Sequence, residues 1–195
     1  MAGGYWCLPV IAKLLKPSRE ELPAYIAALR QGWSPDNVRG AAAAAEELDA
    51  IERNADLFLS RLDDPEALGG PIALPDGSLI PRLPGYRRWI WDGEFCGSIG
   101  FRWQHGTSEL PSHVLGHIGF AVVPWKRGQG HAKRALSLLL PEARALGLSY
   151  VDLTTDPGNH ASQRVILSNG GQLLERFAKH PAYGGLDGLR FRIPL

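Results

Sequence analysis

The stretch His117–Ala132, with the sequence HIGFAVVPWKRGQGHA, decides the fold. It starts with an apolar run typical of a strand, passes Pro124, and becomes a short glycine-containing turn with several basic side chains. Apolar residues then recur at spacings of three and four up to Leu146, which predicts a helix with one apolar face over 130–146. The stretch is therefore predicted to fold as a strand, a tight basic turn and a helix.

The turn between this strand and this helix has the character of an anion-binding site. The first N–H groups of a helix have no partner within the helix, and the helix dipole places positive charge at the same end. Gly128 and Gly130 have no Cβ, so a ligand can approach their backbone closely. A diphosphate is the ligand that such a turn suits best. The stretch has neither the Gly-Lys-Ser/Thr of a Walker loop nor the Gly-x-Gly-x-x-Gly spacing of the dinucleotide fingerprint.

A longer pattern surrounds the two glycines: Val122-x-Pro124-x-x-Arg127-x-x-Gly130-x-Ala132. At these residues the chain resembles the GNAT superfamily of acyl-CoA N-acyltransferases, whose signature Arg/Gln-x-x-Gly-x-Gly/Ala follows a strand that ends in Val-x-Pro. The resemblance continues through Gly147-Leu148, the strand SYVDLTT, Asn159 and the Gly170-Gly171 pair. The competing interpretation is a strand-to-helix connection in which the glycines serve geometry alone.

The resemblance implies that the chain binds acetyl-CoA as a co-substrate and transfers the acetyl group to a primary amine of a small molecule or a protein. In the family, the strand before the turn splays from its neighbour, and the pantetheine arm pairs with the backbone groups that the splay exposes. Carried over to this sequence, the residues that bind acetyl-CoA are Phe120, Ala121, Val122, Val123, Arg127, Gly128, Gln129, Gly130, His131, Ala132, Lys133, Asn159 and Ser162. Arg127 and Lys133 can equally be plain surface charges, and Asn159 also suits a helix N-cap.

The residues for proton transfer depart from the family's pattern. Many members have a tyrosine seven residues after the asparagine, where this chain has Ile166, and some have a glutamate five residues before it, where this chain has Thr154. His117 is then the candidate general base, because an imidazole with a pKa of about 6.5 accepts protons near neutral pH. The alternative is a histidine that only hydrogen-bonds the strand end. The two replacements also leave open a catalytically weak or inactive acyl-CoA-binding sensor of the same fold.

The remaining segments predict the order of the elements. A strand is predicted at 5–15, helices at 19–31 and 34–63, a Pro/Gly-rich loop at 64–85 with a turn at 75–77, and a hairpin around Asp92-Gly93. The strand 114–123 and the helix 130–146, kinked at Pro141, are followed by a strand at 149–155, a helix at 159–169 and strands at 172–179 and 188–193. This order predicts a single GNAT-like α/β (α+β) domain over 1–195, with a mixed, mostly antiparallel sheet, a splayed central strand and helices on both faces.

The composition and the spacing of particular residue types limit which partners and ions are expected to bind the chain. The chain has 195 residues with a net charge of +1 and no block of like charge, so no nucleic-acid partner is expected. The sequence has no apolar run long enough to span a membrane and no signal-peptide pattern, which predicts a cytoplasmic protein without a membrane partner. Cys7 and Cys96 are expected to be reduced thiols, although their spacing does not exclude a disulfide. No metal is expected, since no histidine pair has, on a predicted helix, the i, i+4 spacing that a zinc site would show. A homodimer through the sheet or the terminal strands is suggested by analogy alone.

Overall fold

The structure is a computed structural model that describes residues 12–73, 78–179 and 185–195. Most of the strand predicted at 5–15, Cys7 and the turn predicted at 75–77 lie outside the described residues. The end of that predicted strand is present as β1, Lys13–Leu15. Among the described helices, none combines the length and the apolar character needed to cross a membrane.

The described chain contains five α-helices and ten strands. The helices are α1 (Leu22–Arg30), α2 (Ala41–Arg53), α3 (Ala55–Arg61), α4 (His131–Ala145) and α5 (His160–Leu167). The further strands are β2 (Asp63–Asp64), β3 (Ile72–Ala73), β4 (Leu79–Ile80), β5 (Gly85–Trp91), β6 (Phe95–Arg102), β7 (Ile118–Val122), β8 (Tyr150–Thr155), β9 (Gln172–Ala178) and β10 (Asp187–Pro194).

The strands form two main sheets. The first has the order β1-β5-β6-β7, with β2 also paired to β5, and the second has the order β8-β10-β9. Each ladder between described strands is antiparallel. The predicted hairpin around Asp92-Gly93 joins β5 to β6, where Gly93 has a φ of 107°. The predicted fold class, a mostly antiparallel sheet with helices on both faces, is confirmed.

Alternating side chains of β5 show how the helices cover both faces of the first sheet. Trp89 is fully buried and stacks on Tyr25 of α1, with the ring centroids 4.9 Å apart. Ile90, the next residue, belongs to the opposite core together with Leu136 and Leu139 of α4. The first sheet is therefore covered by α1 on one face and by α4 on the other.

Three predicted boundaries are wrong. The helix predicted at 34–63 begins only at Ala41 and is divided into α2 and α3. The division is at Asn54, because this residue is extended (φ −164°, ψ 96°) and its side chain accepts a hydrogen bond from Leu57 N at the start of α3. The segment predicted as loop at 64–85 contains the short antiparallel pair β3 and β4. The strand predicted at 114–123 is shorter, since β7 is Ile118–Val122. Pro141 does not end α4, and the single-domain boundaries 1–195 stay a prediction.

Candidate functional site

The strands β7 and β8 are neighbours that form no ladder within the described chain. They are joined just before β7 begins: His117 N donates to Asp152 O at 2.7 Å, and Asp152 N donates to His117 Nδ1 at 2.9 Å. Gly116 allows this close approach, because a Cβ there would lie 2.8 Å from Asp152 O. Beyond this joint the two strands are unpaired, which is the arrangement predicted for the splayed strand.

The backbone of β7 alternates between its neighbour β6 and the opening. His117 O accepts from Arg102 N, and Val123 N donates to Cys96 O, both at 2.9 Å. In an antiparallel pair such bonds recur at every second residue, so the odd-numbered residues of β7 face β6. The N–H and C=O groups of the even-numbered residues consequently face away from β6, toward the opening.

Two of these outward-facing residues, Phe120 and Val122, provide backbone groups with which a ligand could form hydrogen bonds. Phe120 O accepts a hydrogen bond from Asn37 Nδ2, and Val122 O accepts one from Arg127 Nε, both at 3.2 Å. The N–H groups of Phe120 and Val122 have no acceptor within the described chain. The exposed edge of β7 therefore offers two free backbone N–H donors and two carbonyl groups whose hydrogen bonds come from side chains.

The turn before α4 concentrates unpaired N–H groups. Gly128 and Gly130 adopt left-handed conformations, with φ of 75° and 84°. The first hydrogen bond that belongs to α4 runs from Arg134 N to Gly130 O at 3.0 Å, and no side chain caps the helix. Within the described chain, residues 128–133 donate no backbone N–H to any acceptor. Unpaired N–H groups at the positive end of a helix dipole are the arrangement that favours anions in proteins.

A cleft of about 530 Å³ connects the edge of β7 to this turn. All of the predicted binding residues line the cleft except two. Val123 is fully buried in the core instead, and the side chain of Gln129 bonds Trp125 O at 3.4 Å. Six residues that the sequence motif does not indicate also line the cleft: Asn37, Lys126, Ala161, Arg164, Val165 and Ser168. A binding role for any of these residues is a prediction.

The cleft is positively charged. Its described lining contains no carboxylate but four cations: Lys126, Arg127, Lys133 and Arg164. Lys126 is compensated by Asp92, whose two carboxylate oxygens lie 3.2 Å from the ammonium. Lys133 and Arg164 are exposed and have no ion-pair partner within the described chain. Their charge is therefore available to a phosphate.

The start of α5 forms the opposite wall of the cleft. Asn159 is the N-cap of α5, and its side chain accepts a hydrogen bond from Ser162 N at 3.1 Å. The amide NH₂ of Asn159 and the hydroxyl of Ser162 have no partner within the described chain. Ile166, which stands where many family members have a tyrosine, is buried against Gly171 and faces the core.

The candidate general base lies outside the cleft. His117 is fully buried and is not among the residues that line the cleft. Because its Nδ1 accepts a hydrogen bond, the proton of the neutral ring is on Nε2, which has no partner within the described chain. Burial lowers the pKa of His117 to about 4, against an opposing effect of Asp152. This environment favours a structural role at the joint between β7 and β8.

Comparison with known proteins shows a family-model match over part of the chain and a shared fold. Residues 78–172 match the model of the acetyltransferase (GNAT) domain. The fold is similar to that of the microcin C7 self-immunity acetyltransferase MccE in complex with acetyl-CoA and AMP, with a TM-score of 0.60 at 14% identity over 94% of this chain and 92% of that one. It is also similar to RimL, the ribosomal L7/L12 α-N-protein acetyltransferase in complex with coenzyme A, with a TM-score of 0.61 at 15% identity over 96% and 97%.

A third solved structure with this fold is the ribosomal-protein-S5-alanine acetyltransferase from Vibrio fischeri, with a TM-score of 0.54 at 16% identity over 94% of this chain and 91% of that one. Among curated protein sequences, none matches the chain. The resemblance seen in the motif is thus confirmed by the domain match and by the fold of solved GNAT acetyltransferases.

Proposed function

We propose that the protein is an N-acetyltransferase that moves the acetyl group of acetyl-CoA to a primary amine of a small molecule or a protein. The observation that carries the proposal is the row of unpaired N–H groups at 128–133, at one end of a cleft whose wall is the unpaired edge of β7. A diphosphate linked to an extended arm with two amides satisfies both features at once. MccE and RimL, which share the fold, have been crystallised with acetyl-CoA and with CoA respectively.

The cations of the cleft support the same ligand. Lys133 follows the turn on the first helical turn of α4, and Arg164 faces the cleft from α5. CoA carries three phosphate groups, and each unpaired cation can form a charge-assisted hydrogen bond with one of them. The pantetheine amides pair with Phe120 and Val122, which requires Asn37 or Arg127 to release a carbonyl where an amide N–H replaces it.

The chemistry requires four events. The neutral amine attacks the thioester carbonyl, the tetrahedral oxyanion is stabilised, the C–S bond breaks, and the thiolate takes up a proton while the amine loses one. An N–H group of β7 near Val122 is the proposed oxyanion donor. The hydroxyl of Ser162 is the proposed hydrogen-bond donor to the departing sulfur, because it lines the cleft without another partner. That His117 is the general base stays a prediction that its burial disfavours.

A second function is supported by the residues at two positions. Ile166 and Thr154 provide neither the phenol nor the carboxylate that many family members use, which suits an acyl-CoA sensor with little or no turnover. Transfer can nevertheless proceed from positioning alone when the amine is neutral and close to the thioester. The enzyme is therefore the first proposal and the sensor the alternative.

The two proposals differ in a thiol-release assay. Purified protein is incubated with acetyl-CoA and a panel of polyamines, amino acids, and peptides with a free N-terminus or a lysine. The enzyme is expected to release CoA only when an amine is present, with the acetylated amine detected by mass spectrometry. Tight acetyl-CoA binding without amine-dependent release across the panel contradicts the enzyme and supports the sensor.

Two further properties stay predictions. A cytoplasmic location is tested by fractionation of cells that produce the protein. A homodimer is tested by size-exclusion chromatography with light scattering, where a mass close to the monomer's 21.3 kDa contradicts it.

A further inference from the structure

Three side chains with metal-binding atoms converge next to the turn with the unpaired N–H groups, residues 128–133, which is called the diphosphate turn below after its proposed ligand. Asp92 lies in the turn between β5 and β6, Cys96 is on β6, and His131 is the first residue of α4. The carboxylate, thiol and imidazole donor atoms all lie within 4.8 Å of one another. Cys96 is fully buried, and His131 is only 7% exposed. The proposed transfer chemistry uses none of these three side-chain groups.

The imidazole of His131 is held in this cluster without a hydrogen bond. Its Nε2 lies 3.3 Å from Asp92 Oδ2, yet it has no hydrogen-bond partner within the described chain. Cys96 Sγ lies 3.4 Å from Glu94 O, and the thiol also interacts with the carboxylate of Asp92, within the same cluster. A buried nitrogen without a partner costs free energy, and proteins rarely leave such a group unused.

We propose that Asp92, Cys96 and His131 bind one Zn²⁺ ion. In a tetrahedral zinc site the Zn–S bond is about 2.3 Å and the Zn–N and Zn–O bonds about 2.0–2.2 Å, which places the donor atoms about 3.3–3.6 Å apart. The separation of His131 Nε2 and Asp92 Oδ2 already has this value. Three protein ligands leave the fourth position to water. Zinc fits better than calcium or magnesium, because those ions prefer oxygen ligands alone.

Besides a contraction of the cluster, whose donor atoms now lie within 4.8 Å of one another, zinc binding requires two local changes. The Cys96 thiol must release its proton to solvent as the Zn–S bond forms, so binding weakens as the pH falls. The ammonium of Lys126, which contacts both oxygens of Asp92 at 3.2 Å, must also leave the carboxylate. Lys126 keeps a partner when it does so, since Glu94 Oε2 lies 2.9 Å from the same ammonium. Lys126 therefore acts as a competitor of the metal at Asp92.

The site joins the β5–β6 turn to the first residue of α4. The backbone N–H of His131 is one of the unpaired donors of the diphosphate turn, so a bound ion would hold that donor in place. This consequence rests on the proposed function, whereas the binding of zinc does not.

The test is a zinc titration of metal-free full-length protein against a chromophoric chelator, without CoA. One ion per chain is expected. Cys96→Ser and His131→Gln should each weaken zinc binding at least tenfold, whereas the control His105→Gln, at an exposed residue outside the cluster, should not change it. Cobalt should give the absorption of a tetrahedral site with a thiolate charge-transfer band, and Cys96→Ser should abolish that band.

The titration overturns the proposal if no ion binds, or if Cys96→Ser and His131→Gln bind zinc as tightly as the unmodified chain. Thermal unfolding of the metal-free variants shows whether they are folded. Lys126→Met provides a test that keeps all three ligands, since removal of the competing ammonium should tighten zinc binding severalfold. An unchanged or weaker affinity in Lys126→Met contradicts the site.

Discussion

Because His117 is buried at the joint between β7 and β8, we expect the free energy of unfolding to depend on pH by a calculable amount. Burial lowers the pKa of His117 to about 4, with smaller effects of Arg102 and Arg192 in the same direction and of Asp152 in the opposite one. In the unfolded chain the pKa returns to about 6.5. Above pH 6.5 the ring is neutral in both the folded and the unfolded state, so His117 does not lower the free energy of unfolding.

As the pH falls from about 6.5 to about 4, the unfolded state takes up the proton first. The free energy of unfolding then decreases by about 1.4 kcal/mol per pH unit, or about 3 kcal/mol over the interval, and the loss ends where the folded histidine is protonated as well. His117→Asn removes this titration but keeps an acceptor, because the amide oxygen takes the place of Nδ1 opposite Asp152 N. His117→Ala removes both and leaves that N–H unsatisfied, which costs about 1–3 kcal/mol.

Urea unfolding at a series of pH values measures the effect. The carboxylates contribute alike to the unmodified chain and to His117→Asn, so the difference between the two curves isolates the histidine. The unmodified chain should lose about 3 kcal/mol more than His117→Asn between pH 6.5 and pH 4. Parallel curves would refute the reasoning. The same variants test catalysis: a structural His117 predicts that His117→Asn keeps its turnover at neutral pH, whereas a general base predicts that turnover is lost.

Two further variants test the site. Arg164→Gln should weaken acetyl-CoA binding about fivefold at low salt, because an exposed charge contributes about 1 kcal/mol to phosphate binding, and calorimetry should show no such loss in the control Arg144→Gln. Gly116→Ala should lower the free energy of unfolding by about 1–3 kcal/mol, because its Cβ would meet Asp152 O at 2.8 Å, whereas Gly119→Ala, with no atom within 4 Å of its Cβ, should stay within about 0.5 kcal/mol. Equal unfolding free energies of the two alanine variants would contradict the close approach at the joint.

The local part of the site could be predicted from the sequence. The strand, the turn and the first turn of α4 are consecutive, and glycines at positions with positive φ mark the turn. Arg164 could also have been found, because Ala161, Arg164, Val165 and Ser168 recur at helical spacing and line the cleft from one face of α5. The break between α2 and α3 was readable in the same way, since an asparagine inside a helical pattern favours an N-cap.

The rest depends on contacts between distant segments. Asn37 lies 83 residues from Phe120 in the sequence. Because Asn37 bonds the backbone carbonyl of Phe120, the type of side chain at position 120 gives no indication of this contact. The burial of His117 follows from the approach of Asp152, which no local pattern around either residue reveals. The compensation of Lys126 by Asp92 has the same origin, because the turn between β5 and β6 reaches the turn before α4 only in the folded chain.

Binding of acetyl-CoA in the cleft underlies the proposed activity. The most direct measurement is thermal unfolding of the purified protein with acetyl-CoA, free CoA and ATP in parallel. A ligand at 100 times its dissociation constant should stabilise the folded state by about 2.7 kcal/mol. We expect this stabilisation with acetyl-CoA and with CoA but not with ATP, which lacks the pantetheine arm proposed to pair with β7. Unfolding that is unchanged by both CoA species would contradict this binding.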